Sequence, residues 1–136
     1  MLFRSVNLGS RLEGLSKNYG VDIVVSETTR KLAPGFAWQE LDKVRVKGKD
    51  QAVGIFYPLA IAGQLPADSV TELKIWANFV KAYRIQDWDQ SDVLLINLSR
   101  SNAKKYLYQL YSERVASMRM LPFDPEWDGA TNYDTK

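Results

Sequence analysis

Two residue types that dominate metal and nucleophile chemistry are missing from this sequence: its 136 residues include no cysteine and no histidine. Without cysteine there are no disulfides and no thiolate metal sites. Without histidine there is no Ser-His-Asp triad and no His-ligated zinc site. Any acid–base chemistry would therefore use carboxylates, lysine, tyrosine or water.

Long apolar runs and excess charge are missing as well. No run of about 18 apolar residues is present, so the sequence predicts no membrane span. The residues from Met1 to Ser5 lack the apolar core of a secretory signal. The formal net charge of +2 is too small to indicate a nucleic-acid partner. The 46% hydrophobic and 25% charged content is that of an ordinary globular protein.

An amphipathic helix is predicted from Val6 to Gly20. Its apolar residues recur at spacings of four, three and four, as on one face of a helix: Leu8, Leu12, Leu15 and Tyr19. Asn7 and Arg11 are four residues apart, so they project from the same side of this helix. Gly20 follows the last periodic residue, where a left-handed cap favours glycine.

The letters of this stretch, VNLGSRLEGLSKNYGVDIVVSE, resemble the helix and following strand of class III adenylate/guanylate cyclases, whose motif is close to V-N-x-x-S-R-L-E. The resemblance implies that Asn7 and Arg11 are catalytic. In cyclisation the ribose 3′ oxygen attacks the α-phosphate and pyrophosphate leaves. A guanidinium can hold the developing phosphoryl charge, and an amide can orient the ribose. The alternative is that Asn7 caps the helix and Arg11 is a solvated charge.

A strand, a short helix and a hairpin are predicted next. The predicted elements are a strand at Val21–Ser26, a helix at Glu27–Ala33 and hairpin strands at Phe36–Val46 and Gln51–Leu59. Ser26 is expected to cap the helix. The apolar face changes near Leu41, which predicts a bulge in the first hairpin strand.

The hairpin extends the resemblance. LDKVRVKGKDQAVGIFYPL is similar to the last two strands of a class III cyclase domain, in which V-K-G precedes the final strand. The resemblance implies that Lys47 contacts the phosphates of the substrate, as a point charge suited to a triphosphate. Lys49 is the weaker candidate for the same role. The alternative is a basic hairpin tip that keeps the turn soluble.

Three helices are predicted after a connector at 60–70 that contains glycine and proline. They run from about Glu72 to Ile85, Asp89 to Leu98 and Asn102 to Met120. Their order suggests a small antiparallel helical array similar to a tetratricopeptide unit. The aromatic stripe Trp76, Tyr83 and Trp88 is interpreted as core packing between helices, with a ligand surface as the alternative.

The tail, residues 122–136, has little periodicity, and Trp127 is expected to pin it to the body. Together with the helices, its W-D-G sequence resembles the C-terminus of bacterial cyclases that carry an extracytoplasmic CHASE-type sensor. On this resemblance the whole chain corresponds to the C-terminal part of such a cyclase.

Parts of a complete cyclase are expected to be absent. The family holds two metal ions with two Asp residues of earlier strands, for which the chain before Val6 is too short. A Gly-Asp pair is expected before the motif helix, where this sequence has Phe3-Arg4. Glu40, Asp42 and Asp50 are interpreted as exposed strand charges, not as substitute metal ligands. No metal site is therefore predicted in this chain, and the parent cyclase would need Mg or Mn.

The predicted fold is α+β. It is a partial ferredoxin-like cyclase domain of helix, strand, short helix and β-hairpin over residues 1–59, a linker over 60–70, and a helical extension with an irregular tail over 71–136. An incomplete sheet leaves the strand at Val21–Ser26 as an open edge, so self-association is expected.

The predicted function is part of a nucleotide cyclase that converts ATP or GTP to the cyclic 3′,5′-monophosphate and pyrophosphate, inactive alone. Its partners would be a nucleoside triphosphate and a second copy or an intact cyclase. A cytoplasmic location follows from the intracellular substrate, with a parent that can be membrane-anchored. The alternatives are a non-catalytic regulatory or protein-interaction module, and a truncated reading frame without a function of its own.

Overall fold

The computed structural model describes residues 14–46 and 51–133, which form an α+β fold with four α-helices and a four-stranded mixed sheet. The chain divides into two compact units. The sheet unit comprises Met1–Leu65 with Ala130–Lys136, and the helical unit comprises Pro66–Gly129. The helical unit is thus inserted in the chain between two strands of the sheet.

The strand order in the sheet is β1-β3-β2-β4. The strands are β1 (Val25–Ser26), β2 (Phe36–Val46), β3 (Val53–Ile61) and β4 (Thr131–Tyr133). β3 pairs antiparallel with both β1 and β2, whereas β4 pairs parallel with β2. The predicted hairpin is therefore confirmed as β2 and β3. The prediction of an irregular tail is wrong at residues 131–133, where the chain adds a strand to the sheet.

A bulge in β2 confirms the irregularity predicted near Leu41. The pairing of β2 with β3 shifts register between Glu40 and Asp42. In a regular strand consecutive side chains point to opposite faces, yet at this shift both Leu41 and Asp42 are buried. The interpretation of Asp42 as an exposed strand charge is thus wrong, because hydroxyl groups from distant segments surround its carboxylate. Glu40 is half-buried.

The described end of the first predicted helix is a 3₁₀ turn, Ser16–Tyr19. Gly20 follows it in the left-handed region at φ 69°, as predicted. Leu15 and Tyr19 are both buried, in agreement with the predicted apolar face. The strand predicted from Val21 is shorter than expected, since the amide of Val21 still donates to Ser16 of the turn.

Helix α1 (Glu27–Leu32) connects the first two strands. As predicted, Ser26 caps it by accepting a hydrogen bond from the amide of Thr29 over 3.3 Å. The indole of Trp38 in β2 donates to the carbonyl of Ala33 at the end of this helix over 3.0 Å. These contacts fix the short helix to the strands on either side of it.

Three helices make up the helical unit: α2 (Ala67–Arg84), α3 (Trp88–Ser101) and α4 (Tyr106–Met118). They confirm the three predicted helices. The first begins earlier than expected, at Ala67, with Pro66 at its N-cap position. Successive helices contact each other, α2 with α3 and α3 with α4.

An aromatic cluster forms the core of the helical unit. Trp76 and Tyr83 are buried, and the ring of Tyr111 lies edge-on to both, with centroids 5.3 and 5.0 Å away. Trp88 is half-buried against Tyr83. The predicted stripe is therefore core packing. Trp127 also lies edge-on to Tyr83 over 5.4 Å, so it pins the tail as predicted.

None of the helices within residues 14–46 and 51–133 combines the length and the apolar character that crossing a bilayer requires.

Candidate functional site

The three residues predicted to act on substrate, Asn7, Arg11 and Lys47, lie outside the described residues, and their roles stay predictions. Lys49 and Asp50 lie outside them too. The structure does describe the elements next to these positions. They are the 3₁₀ turn at the end of the motif stretch and the strand that leads into Lys47.

A buried carboxylate joins these two elements. The Tyr19 hydroxyl at the end of the turn donates to Asp42 Oδ2 over 2.6 Å. Thr131 of β4 donates from its hydroxyl to the same oxygen over 2.9 Å. The Tyr133 hydroxyl lies 2.9 Å from that of Tyr19. We refer to Tyr19, Asp42, Thr131 and Tyr133 as the Asp42 cluster.

The direction of the hydrogen bonds in the Asp42 cluster follows from counting protons. A phenol has one hydrogen to donate, and Tyr19 donates it to Asp42. The Tyr133 hydroxyl therefore donates to Tyr19 Oη, which completes a chain from Tyr133 through Tyr19 to the carboxylate. The other oxygen, Oδ1, accepts from the amide of Lys43 over 2.7 Å. Several donors thus compensate the burial of the carboxylate.

The bulge and the parallel strand place these groups. Asp42 lies at the register shift of β2. Two residues further on, Val44 pairs with Thr131, and Val46 pairs with Tyr133. Tyr133, whose hydroxyl contacts that of Tyr19 at the end of the motif stretch, is therefore paired with Val46, the residue directly before Lys47.

Sequence reasoning missed the Asp42 cluster. Aspartate is depleted in strand interiors, so Asp42 next to Leu41 within a predicted strand was a signal that it has dedicated partners. The short alternation Thr131, Asn132, Tyr133 was a weak strand signal. Neither pattern identifies the partner, because the contacts span 23 and 89 positions of the chain.

The acidic residues in the described part of the chain do not fit a metal centre. Within residues 14–46 and 51–133, no three Asp or Glu side chains come together where they could hold a metal ion. Asp42, the buried one, is surrounded by hydroxyl donors rather than by other carboxylates. The metal ions that the resemblance implies would need ligands other than these residues.

The helical unit carries an open surface groove of about 450 Å³ between α3 and α4. Its lining combines apolar, hydroxyl and charged side chains: Asp92, Leu95, Ile96, Ser99, Arg100 and Ser112. At the end of α4, Arg119 donates to Asp92 over 2.6 Å and to Asp89 over 3.2 Å. The hydrogen bond to Asp89 is the main cause that raises the pKa of Arg119 above its ordinary value.

Lys105 lies just before α4, partly buried against the helical unit. Its ammonium group lies 5.5 Å from the centre of the Tyr108 ring. Burial lowers the pKa of Lys105 below its ordinary value, and the charge of Glu72 offsets this only in part. Glu72 itself accepts a hydrogen bond from the Tyr108 hydroxyl, so the three side chains form one polar group at this edge of the aromatic core.

Comparison with known proteins connects part of the chain to cyclases. An adenylate cyclase of Anabaena cylindrica is 45% identical over 56 residues, which is 38% of this chain and 11% of that cyclase. The chain therefore spans far less than two thirds of this curated relative. No protein family model matches, and no solved structure matches. The similarity supports a relation to adenylate cyclases over part of the chain.

Proposed function

We propose that this chain is the C-terminal part of a class III nucleotide cyclase, of the type that carries a CHASE sensor. The observation that carries the proposal is the 45% identity to an adenylate cyclase over 56 residues. The motif stretch from Val6 to Gly20 and the V-K-G sequence at Lys47 agree with it. The reaction would convert ATP or GTP to the cyclic 3′,5′-monophosphate and pyrophosphate.

Three residues carry the proposed chemistry. Arg11 would stabilise the negative charge that develops on the phosphoryl oxygens, and Asn7 would orient the ribose. Lys47 would bind the phosphates. The Asp42 cluster supports this assignment indirectly, because it ties the end of the motif stretch to the strand that precedes Lys47.

The proposed site is half of a composite site. Class III domains meet head to tail, with the Asn and Arg from one partner and the metal-binding Asp residues from the other. Mg or Mn, when held by such a partner, would neutralise part of the phosphate charge. We expect the purified chain to form no cyclic nucleotide by itself. Cyclic nucleotide formed by the chain alone, and abolished by Arg11→Ala, would contradict this expectation.

A partial cyclase domain also implies self-association in the cytoplasm. The described strand β1 lies at the edge of the sheet, where a second copy or an intact cyclase could pair with it. Sedimentation velocity measures this directly: a single monomeric species over a wide concentration range would contradict pairing between copies.

Triphosphate binding tests the proposed site. We expect the chain to bind ATP or GTP with Mg, measured by calorimetry, and Lys47→Ala and Arg11→Ala each to weaken binding about tenfold or more through loss of a charge-assisted contact. Lys74→Ala is the matched control, since Lys74 is an exposed lysine of the helical unit. Equal affinity in the Lys47 and Lys74 variants would contradict the phosphate role.

The second candidate is a non-catalytic interaction module that uses the helical unit. The observation that favours it is a set of large, exposed apolar side chains at the end of α4 and after α2: Ile85, Met120, Leu121 and Phe123. The double hydrogen bond between the side chain of Gln86 and the backbone of Asp124 brings these two segments together. This candidate would be favoured if the chain binds no triphosphate but does bind a protein partner, and if Leu121→Ser abolishes that protein binding.

A further inference from the structure

Large apolar side chains are exposed on the helical unit just after α2 and α4 end. Four of them are between 63% and 81% exposed: Ile85, Met120, Leu121 and Phe123. We refer to these four side chains as the apolar patch. Single exposed apolar residues are common on protein surfaces, whereas a group of them indicates a surface that another molecule covers.

Hydrogen bonds join the two segments that carry the apolar patch. The side-chain nitrogen of Gln86 donates to the carbonyl of Asp124 over 2.7 Å, and its side-chain oxygen accepts from the amide of Asp124 over 3.0 Å. After α4 the amide of Leu121 donates to the carbonyl of Met118 over 3.0 Å, which continues the turn. The apolar patch therefore lies on backbone that these hydrogen bonds hold in place.

Gln86 makes these contacts from an unfavourable backbone conformation. Its φ of 64° lies in the left-handed region, where no other non-glycine residue of 14–46 and 51–133 is found. Its amide donates to the carbonyl of Tyr83 over 3.1 Å, in addition to the two bonds with Asp124. Backbone strain persists where surrounding contacts fix it, and such positions are frequent at binding sites.

Acidic residues outnumber basic ones around the apolar patch. Residues 81–92 and 119–128 contain three basic residues, Lys81, Arg84 and Arg119, and six acidic ones: Asp87, Asp89, Asp92, Asp124, Glu126 and Asp128. Their formal charge is therefore −3, whereas the whole chain carries +2. The guanidinium of Arg119 is already held by Asp89 and Asp92, over 3.2 and 2.6 Å. The apolar patch thus has an acidic border.

We propose that the apolar patch binds a basic amphipathic helix of a protein partner. The apolar face of such a helix would cover the four exposed side chains, and its lysine or arginine residues would meet the acidic border. This inference rests on the second candidate function, whose partner it identifies by chemistry, and it is independent of triphosphate binding.

The acidic border disfavours two other occupants of the apolar patch. Two copies of the chain in contact through this patch would bring their carboxylates together, and like charges across an interface repel. The headgroups of anionic lipids carry negative charge too, so a membrane surface meets the same repulsion. A partner with a basic border is attracted by the charges that repel both of these.

Two synthetic peptides test the proposal on the full chain. The basic peptide has about 14 residues, with leucine at helical spacing and lysine elsewhere, and the acidic peptide has glutamate in place of lysine. Fluorescence anisotropy at about 0.1 M salt measures their affinities. We expect the basic peptide to bind about tenfold more tightly or better, because only its charges complement the acidic border. Equal affinity for the two peptides would overturn the proposal.

Leu121→Ser tests the apolar contact. We expect this variant to bind the basic peptide about tenfold more weakly, as is typical when a large apolar side chain in an interface is truncated. Val70→Ser is the matched control, since Val70 is exposed in the first turn of α2, at the opposite end of that helix from Ile85. Circular dichroism checks that both variants fold, and equal affinities of the two variants would count against the proposal.

A double variant, Asp87→Asn with Asp124→Asn, tests the acidic border. Asp87 accepts from the amide of Gln90 over 3.1 Å, and Asp124 accepts from the amide of Glu126 over 2.9 Å. Asparagine retains both acceptors while it removes both charges. We expect the basic peptide to bind about threefold more weakly at about 0.1 M salt, a difference that disappears at about 1 M salt through screening.

The matched control for the charge effect is Asp68→Asn with Glu113→Gln. Both residues are exposed in the helical unit, and each lies more than one turn along its helix from the end that precedes the apolar patch. This control should bind the basic peptide nearly as the unmodified chain does. Equal weakening in the two double variants would show attraction to the net charge of the protein and would overturn the role of the acidic border.

Vesicles and sedimentation velocity cover the other occupants. Binding to vesicles of anionic lipid, lost in Leu121→Ser, would overturn the proposal in favour of a membrane surface. A dimer of the chain that dissociates in Leu121→Ser would overturn it in favour of a second copy. If neither peptide binds, the basic partner is excluded, while the cyclase assignment is decided separately by triphosphate binding.

Discussion

The backbone of Gly129 passes so close to the side chain of Arg84 that a Cβ atom at position 129 would lie 2.7 Å from Arg84 Cγ. Gly129 also has a left-handed backbone with φ 85°. Both features exclude a side chain here, since the conformation strains an L-residue and the nearest atoms belong to the stem of Arg84. This glycine therefore lets the chain leave the helical unit and enter β4.

Gly129→Ala is accordingly expected to destabilise the protein by more than about 2 kcal/mol, the sum of left-handed strain and the clash. Gly63→Ala separates the two effects. Gly63 has nearly the same φ, 86°, but a Cβ atom there meets nothing within 4 Å, so only the strain of about 1–2 kcal/mol applies. Chemical denaturation measures both, and equal losses would show that Arg84 moves away without cost.

Loss of the carboxylate of Asp42 should destabilise the sheet unit. In Asp42→Ala the hydroxyls of Tyr19 and Thr131 lose their acceptor in a buried site, at a cost of about 2–3 kcal/mol in the free energy of unfolding. Asp42→Asn keeps one acceptor oxygen, so a loss nearer to about 1 kcal/mol is expected. Denaturation followed by circular dichroism tests this order, and an Asn variant as unstable as the Ala variant would contradict it.

Stability should depend on pH through Lys105. Its pKa in the folded protein is lowered, mainly by burial, so the unfolded chain binds this proton more tightly. The charged Lys105 therefore lowers the free energy of unfolding at neutral pH. This penalty disappears as the pH rises through the folded pKa towards 10.5.

The comparison variant for this pH effect is Lys105→Met. The stability of the unmodified protein relative to this variant should increase as the pH rises towards 10.5, measured by urea denaturation at several alkaline pH values. Lys104→Met, at the exposed neighbouring lysine, controls for the loss of one positive charge. If the stability of the unmodified protein relative to Lys105→Met instead falls as the pH rises, burial of the Lys105 ammonium is not the cause.

The aromatic core predicts a large effect at Phe79. This side chain is 0% exposed, and its ring centroid lies 5.2 Å from that of Trp76 and 5.4 Å from that of Tyr111. Phe79→Ala should therefore cost about 3–5 kcal/mol through the cavity that it leaves. Phe123→Ala is the control at a 66% exposed phenylalanine, expected to change stability by less than about 0.5 kcal/mol.

The elements with strong periodicity were predictable from sequence. The strand Phe36–Val46, the bulge near Leu41 and the three helices follow from local patterns of apolar residues, and the structure has all of them. Burial of Trp76 and Tyr83 was predictable for the same reason, because an aromatic stripe at helical spacing faces the neighbouring helices.

Non-local pairing accounts for what the sequence did not predict. β4 has three residues, too few for a periodic signal, and it forms because β2 offers an edge that lies 87 positions earlier in the chain, the separation of Arg45 from Asn132. The burial of Asp42 depends on the same pairing. The proposed roles of Asn7, Arg11 and Lys47 come from a motif and stay predictions.

The insertion of the helical unit between β3 and β4 sets an order of assembly during translation. Pro66–Gly129 is one contiguous segment with short-range helix contacts, so it can fold as soon as it leaves the ribosome. The sheet unit must wait, because residues 131–133 are synthesised after every helix. A nascent chain that has already formed its helices therefore still lacks the edge strand that holds Tyr19 in place.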